Sequence, residues 1–515
     1  MLAAITLVAG CGLWPVRAER PGGSPVRAAP PATATLRQTF ETFADPPDVA
    51  ALRFYGDNTQ AWTERWRLLQ SAQHAIDVSY FLLHEDVFGL AFLGHLLERA
   101  QAGVSVRVLL DAYGTRMLRE IGGNDHLEEL AATRGVTVRK YRPLWRRWTE
   151  GLLTLRASAI MASEHDKILV IDRSRSLIGG RNIAAEYFEQ PAPGNRAFRD
   201  ADLRIDSPRI AEALTGAFER QFESEDAVPA SDWDSGSEVR RELLHAYEAM
   251  DQWLHGTEAT PVESGTEPPW LRELRSYPQL FGALQSPPPR PVRGETRILD
   301  SHTRRTAAAD PITDAVLRLV QTAEREVFVQ TPYVVLSEDG VQALEEASAR
   351  GVAITIVTNS PVSSDNALSQ AFFLEQWPEI MARVPTLRLI VAGGRHNLHT
   401  KGITFDGVLT MLGTYNLDPV SMRLNSEVMA VTWSGELAAL VEEQARSLIA
   451  RGEPEVFEYR IQRDADGRAM RDDDGEVRIA YGPRDHCTPE EWTALAAYWA
   501  VLKAARTFVG FSPIL

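Results

Sequence analysis

The sequence predicts an α/β fold in which one unit is used twice, and three observations predict it. His165, Lys167, Asp172, Gly179 and Asn182 recur as His399, Lys401, Asp406, Gly413 and Asn416 with identical spacing: Lys at +2, Asp at +7, Gly at +14 and Asn at +17 from the His. Each set is preceded by the same order of helix, strand, helix and strand. The second strand of each unit, Val104 to Asp111 and Val352 to Asn359, has the same length. Self-similarity that reaches beyond a motif marks a duplicated structural unit.

Along the chain, Leu2 to Gly10 is a short apolar run ending in Val8-Ala9-Gly10-Cys11. It resembles the tail of a bacterial lipoprotein signal, in which Cys11 would be acylated, although no Lys or Arg precedes it; a frayed N-terminus is the alternative. The only other cysteine is Cys487, so a lipidated Cys11 leaves no intramolecular disulfide. Arg17 to Thr35, rich in Pro, Ala and Arg, reads as a flexible tether.

A helix is expected around Ala61 to Gln73, a strand over Ala75 to Leu83, a helix over Gly89 to Gln101 and a strand over Gly103 to Asp111. The order returns with a helix near Ala315 to Ala323, a strand over Val327 to Tyr333, a helix over Gly340 to Arg350 and a strand over Gly351 to Ser360. Apolar runs alternating with helical stretches point to a layered α/β sandwich. Glu223 to Arg293 carries Pro and Ser clusters and a helical piece, Glu238 to Leu254, and reads as the connection between repeats. After Gly452, Val456 to Ile461 and Glu476 to Tyr481 read as hairpin strands around two acidic turns. Those turns lack the ligand at the twelfth position of a calcium loop. The expected organisation is a signal over 1–11, a tether over 12–45, a first repeat over 46–222, a connection over 223–300, a second repeat over 301–450 and a C-terminal hairpin and helix over 451–515. No segment after the N-terminal run reaches the roughly 18 continuous apolar residues that a spanning helix requires.

The chemistry is concentrated in the repeated motif. Ile168 to Ile171 and Ile403 to Phe405 run apolar, so His and Lys, two places apart, are expected on one side of a strand. A phosphodiester under attack gathers charge on its equatorial oxygens, and needs fixed positive donors with one group to push and one to protonate. Lys167, Lys401, Asn182 and Asn416 supply donors, and His165 and His399 supply push and protonation. With an ordinary pKa of about 6.5, His takes either part near neutrality. Gly179, Gly180 and Gly413 are expected to let the backbone approach the ligand. Asp172 and Asp406, an odd offset from Lys, should face the other side of the strand and be structural. Asp111 and Asn359 end strands where open α/β sheets bind ligands. Tyr80 and Tyr333 either line the site or are ordinary buried strand tyrosines. No His, Cys and carboxylate cluster has metal-ligand spacing, so neither a metal nor another cofactor is expected.

The pattern His-x-Lys-x4-Asp-x6-Gly-Gly/Thr-x-Asn, found twice, resembles the phospholipase D superfamily, and within it the bacterial cardiolipin synthase branch of the third class. The resemblance runs from about Ala61 to Ala450. It implies two α/β/α sandwich halves sharing one active site on a pseudo-twofold axis. It also implies a phosphatidyltransferase working through a phosphohistidine, with His165 as nucleophile and His399 as general acid. Glu427, after Leu417 to Ser426, matches the family's histidine-orienting Glu, and Asp200, in Phe198 to Ile205, matches the segment that carries an Asp. The family's usual Asp-Pro-Arg-Ser reads Asp418-Pro419-Val420-Ser421 here, with Arg423 three places on.

The formal net charge of −16 speaks against a general nucleic-acid binder, whose affinity comes from basic surface and counterion release. The expected partners are a phospholipid substrate and a membrane surface at the bacterial cell envelope, not nucleic acid. Tyr141-Arg142-Pro143-Leu144-Trp145-Arg146-Arg147-Trp148 suits a lipid headgroup interface or, alternatively, a solvated helix edge. A phosphodiester hydrolase is the alternative enzyme, and a catalytically silent membrane scaffold is the rival from another class. Intact motifs in both halves argue against the scaffold.

Overall fold

Strand pairing makes the duplication explicit. The computed structural model describes residues 34–115, 126–154, 161–230, 242–257, 269–303 and 310–496. Cys11 and the expected signal lie outside them. The first half contributes β1 (Asp48–Tyr55), β2 (Ala75–Tyr80), β3 (Ser105–Asp111), β4 (Val136–Tyr141), β5 (Ile168–Ile171), β6 (Arg175–Gly179), β7 (Asp202–Asp206) and β8 (Ala227–Pro229). The second contributes β9 (Val292–Ser301), β10 (Glu326–Gln330), β11 (Ala353–Asn359), β12 (Leu387–Ala392), β13 (Gly402–Phe405), β14 (Leu409–Gly413), β15 (Glu427–Trp433), β16 (Val456–Ile461) and β17 (Ile479–Tyr481).

In the first half the strands lie in the order β8, β4, β3, β2, β5, β6, β7, β1. In the second the order is β16, β12, β11, β10, β13, β14, β15, β9, the same pattern strand for strand, with β17 added beyond β16. The antiparallel pair β1 and β9 joins the halves, with Ala50 opposite Gly294. β2 to β4 and β10 to β12 run parallel. Parallel neighbours need a crossover, and the helices Val87–Gln101 and Glu338–Ala349 supply the equivalent ones. Each starts at a side-chain cap, Asp86 accepting from Phe88 and Gly89 N–H, and Ser337 from Gly340 N–H.

Each half has its own core, around Trp62, Trp66 and Phe92 in one and Phe373, Trp377 and Tyr459 in the other. A third cluster spans the junction, placing Leu52, Ile168 and Leu203 with Ile298, Leu412 and Val428. The halves therefore bury apolar surface against each other, which holds their facing strand ends in fixed register.

Several expected boundaries are corrected. The expected tether extends to 45, yet Leu36–Glu41 is a helix, capped by Thr35, that buries Leu36 and Phe40 in the second half's core. The expected connection extends to 300, yet β9 is a central strand, and helix Glu242–Leu254 closes over Val87–Gln101. The closeness is set by Gly94, where a Cβ would stand 1.9 Å from the Leu243 carbonyl. β16 is expected in an appended hairpin, but it pairs with β12 as β8 pairs with β4. These elements carry no motif, and their partners are distant in sequence.

Candidate active site

His165 and Lys167 sit in the extended lead-in to β5, and His399 and Lys401 in the lead-in to β13. Each Lys turns back onto its own His, Lys167 Nζ donating to the His165 carbonyl at 2.7 Å and Lys401 Nζ to that of His399 at 2.5 Å. The lead-ins are crossed between halves. Glu164 forms a β-bridge with Ser426, the residue before Glu427, and Leu398 forms one with Arg199, the residue before Asp200. His165 N–H donates to Ser426 Oγ (3.1 Å), and His399 N–H donates to the Arg199 carbonyl (2.7 Å).

Each imidazole is thus held by a carboxylate from the opposite half. His165 Nδ1 lies 3.0 Å from both oxygens of Glu427, and His399 Nδ1 lies 2.7 Å from Asp200 Oδ2. At His165 the carboxylate on Nδ1 fixes that nitrogen as the N–H and leaves Nε2 for chemistry, while His399 Nδ1 has both Asp200 and Lys401 Nζ (2.7 Å) beside it, which likewise turns its Nε2 outward. Glu427 is itself held by Ser421 Oγ (2.6 Å) and Thr414 Oγ1 (2.5 Å), both donating. Asp200 is braced through its carbonyl by Arg181 (2.6 Å), whose guanidinium also pairs with buried Asp202 (2.9 Å). Rings line both histidines: Phe81 stands 5.1 Å from His165, and Tyr187 and Phe198 each 5.4 Å from His399.

The electrostatics of the two pairs differ. Burial, then the charges of Lys167, Lys401 and His399, holds His165 well below the ordinary histidine pKa. Burial and Lys401 lower His399 too, but Asp200 opposes them. Burial would lift the Asp200 carboxyl, yet Lys401 and His399 outweigh it and keep it ionised. Burial raises Glu427 to about 7, against the pull of Lys167. Lys167 is lowered by burial to about 8 and Lys401 to about 7. Groups of both halves act on one another here, so one centre holds both motifs.

The remaining expected residues fall into place or out of it. Asn182 donates Nδ2 to Tyr187 Oη (2.9 Å) and accepts from Leu82 N–H; Asn416 is buried in the equivalent position with no partner for Oδ1 among the described residues. Asp172 and Asp406 lie past their strands in left-handed turns (φ 50° and 54°), not on the far face of a continuous strand as expected. Each gathers three consecutive backbone N–H groups, of Gln73 to Ala75 and of Glu324 to Glu326.

The expectation for the glycines is corrected: they make room for protein, not ligand. A Cβ at Gly179 would meet Asp202 Oδ1 at 2.3 Å, at Gly180 Asp200 Oδ1 at 2.2 Å, and at Gly413 the Val428 carbonyl at 2.1 Å. Asp111 and Asn359 are also corrected. Both are fully buried and serve as braces: Asp111 accepts from Arg147 (2.6 Å) and from Glu164 N–H (3.0 Å), and Asn359 accepts from Leu398 N–H (2.8 Å). Each therefore fixes the residue immediately before a histidine. Tyr80 is no wall of the site, because strand alternation turns it into the core, where it accepts from Arg65 Nε (3.3 Å) and packs on Phe92. Tyr333 lies beside the centre and donates to Asp365 (2.7 Å), whose charge also acts on His399 and Lys401.

Sequence reasoning missed Phe81, Tyr187, Phe198, Ser426, Thr414 and Ser421. Phe81 and Tyr187 had a signal, being one residue past Tyr80 and five past Asn182, but aromatics in such places are ordinarily core. His84, Asp86 and Glu186 bring candidate ligand atoms within 4.8 Å of one another, a grouping that spacing in the sequence does not show. Glu186 is too far along the chain for spacing to reveal this. Asp86 stands there as a cap, accepting from Phe88, Gly89 and Ala185 N–H.

The family model described as cardiolipin synthase, PLD-like domain, matches residues 66–222 and 316–449, more than half of the chain. Cardiolipin synthase C of Escherichia coli (strain K12) is 27% identical over 410 residues, covering 75% of this chain and 81% of that protein. Probable cardiolipin synthase YwiE of Bacillus subtilis (strain 168) is 25% identical over 369 residues, covering 72% of this chain and 60% of that protein. The crystal structure of phosphatidylserine synthase from Haemophilus influenzae Rd KW20 aligns with a TM-score of 0.60 at 15% identity, over 93% of this chain and 100% of that chain. That likeness speaks for the fold. Since each matched segment carries one complete His, Lys and Asn set, the chain belongs to the cardiolipin synthase family of phospholipase D-like enzymes.

Proposed function

We propose that this enzyme is a phosphatidyltransferase that moves a phosphatidyl group from phosphatidylglycerol, through a phosphohistidine, to a hydroxyl of a second lipid, giving cardiolipin. The observation that carries this reading is the crossed pair of imidazoles, each oriented at Nδ1 by a carboxylate of the opposite half. The names of the curated relatives support the lipid class.

His165 Nε2 attacks phosphorus while His399, protonated, gives its proton to the departing glycerol oxygen. The second alcohol then loses its proton to His399 and attacks the phosphohistidine, which frees His165. Lys167 and Lys401 hold the equatorial oxygens, with Asn182 and Asn416 beside them. Incubation with phosphatidylglycerol and separation of the lipids on thin-layer plates tests the reading. Cardiolipin plus glycerol is expected, at full rate after exhaustive chelation, because the charge-stabilising groups are side chains. Phosphatidic acid alone would make the enzyme a hydrolase, and a rate restored only by one divalent ion would overturn the metal-free mechanism.

The two pairs dictate a pH profile. Glu427 must be ionised to hold His165, so kcat/KM rises as pH climbs through about 7. The fall on the alkaline side has two sources: His399, lowered from the ordinary histidine value by burial and Lys401, loses the proton it must donate, and Lys401 and Lys167 discharge through about 7 and about 8. The expected result is a narrow bell, and a plateau from about pH 6 to about pH 9 would contradict it. The proposal includes location at the cell envelope through Cys11, read by fractionating Cys11→Ser cells: a variant that sediments and migrates as the parent does removes the anchor.

A further inference from the structure

The helix Leu144–Thr154 carries its faces the wrong way round for a part of a globular fold, where the apolar stripe turns inward. Its polar side is the one that meets protein. Arg147 donates to Asp111 (2.6 Å), the Ala162 carbonyl (2.8 Å) and Ser163 Oγ (3.0 Å), and Glu150 accepts from fully buried Arg142 (2.7 Å). Arg146 reaches the Glu225 carbonyl (2.5 Å). The apolar side faces out: Trp145 is 65% exposed, Trp148 50%, Leu152 75% and Leu153 84%. Spacings of three and four put Trp145, Trp148 and Leu152 on a single face, with Leu153 at its edge. Seven of the twelve large hydrophobic side chains exposed among the described residues lie in this helix or at Tyr113 and Met161, so they form a patch and not the usual scatter.

The helix that carries the patch is tied to the reaction centre. Arg147 ties the helix to Asp111, Asp111 holds Glu164 N–H, and the next residue is His165. The Arg147 guanidinium also stands 5.9 Å from the Tyr113 ring, and Gly114, beside it, packs so closely on the Phe81 carbonyl that a Cβ would lie 1.8 Å away. Phe81 in turn touches His165. A phospholipid with its phosphate at His165 has to leave its acyl chains in an apolar phase, and the helix that carries this patch is braced to the residue before that histidine. A net charge of −16 gives no general attraction to an anionic surface, so insertion of these side chains has to supply the contact.

We propose that helix Leu144–Thr154, with Tyr113 and Met161, is the element that inserts into the phospholipid bilayer and seats the centre at the acyl boundary; the proposal rests on the reading of the substrate as a phospholipid. The test uses full-length protein carrying Cys11→Ser, so that no acyl anchor masks the effect. This parent is expected to co-sediment with phosphatidylcholine vesicles as well as with vesicles containing phosphatidylglycerol, and equally at about 0.5 M salt, where surface charge is screened. Bromine-labelled lipids should quench its tryptophan emission, and most of that quenching should vanish in Trp145→Phe/Trp148→Phe. Trp145→Ser/Trp148→Ser/Leu152→Ser/Leu153→Ser should bind vesicles at least about tenfold more weakly, while turning over monomeric short-chain phosphatidylglycerol within about twofold of the parent.

Vesicle binding unchanged in the quadruple variant, or absent in the parent, overturns the proposal. So does a dimer of the parent in vesicle-free buffer that the same four substitutions dissociate, which would make a second copy the occupant. Loss of vesicle binding in the variant, with no phospholipid turned over by either protein, would instead support the docking surface and defeat the functional reading.

Discussion

His165→Ala is expected to abolish turnover and the covalent intermediate together, because no second group stands where the attacking imidazole did. Burial and the surrounding positive charges keep His165 neutral, the state an attacking imidazole requires. His399→Ala is expected to lower turnover by roughly 10³ or more, as for members of a catalytic unit acting together. The two losses differ in kind. A substrate whose leaving group departs without a proton should recover partly in His399→Ala and not in His165→Ala. Recovery in His165→Ala alone would exchange the roles, and near-normal turnover in either variant would end the two-histidine mechanism.

The crossed carboxylates yield the second large effect. Glu427→Gln keeps the shape and removes the charge that holds His165 Nδ1–H, so it should cost about 10⁴ in kcat, the loss seen when a histidine's orienting carboxylate becomes an amide. Asp200→Asn should cost roughly 10² or more and be partly rescued by the good leaving group, since it weakens only proton donation by His399. Glu427→Gln, a change in the second half, should therefore behave like His165→Ala in the first, and Asp200→Asn like His399→Ala. Kinetics that pair each carboxylate with the histidine of its own half would contradict the geometry. Folding is checked by thermal melting, because both acids are fully buried.

What was legible in the sequence was what repeats. The spacing from His165 to Asn182 and from His399 to Asn416 identified the duplicated α/β unit, and the chemistry followed from the residue types. What was not legible depends on contacts between distant segments. Asp111 and Asn359 end strands where ligands commonly bind, but each is spent on the backbone just before a histidine, and only the loop's path shows this. Tyr80 occupies the same strand register as a plausible wall residue, yet alternation sends it to the core while Phe81, one place on, reaches His165. Gly179, Gly180 and Gly413 are needed because Asp202, Asp200 and Val428 crowd them, a pressure that spacing cannot reveal. β9 has no motif at all, and its place between β1 and β15 comes from pairing across the chain.

Val420, where the family pattern has Arg, sits in the short helix Pro419–Arg423 capped by Asp418. The neighbouring Ser421 hydroxyl still reaches Glu427, so the orientation of His165 survives this departure.

The central claim is a phosphatidyl group carried on His165. Enzyme mixed rapidly with phosphatidylglycerol labelled in its phosphate, quenched in alkali within one turnover and digested, shows directly where phosphorus resides. An alkali-stable, acid-labile label on the peptide containing His165 is expected. It should be absent from His165→Ala, and it should accumulate in His399→Ala given a substrate with a good leaving group, because the base for the second step is missing. Product formed by wild-type enzyme with no label on His165 at any time would contradict the account.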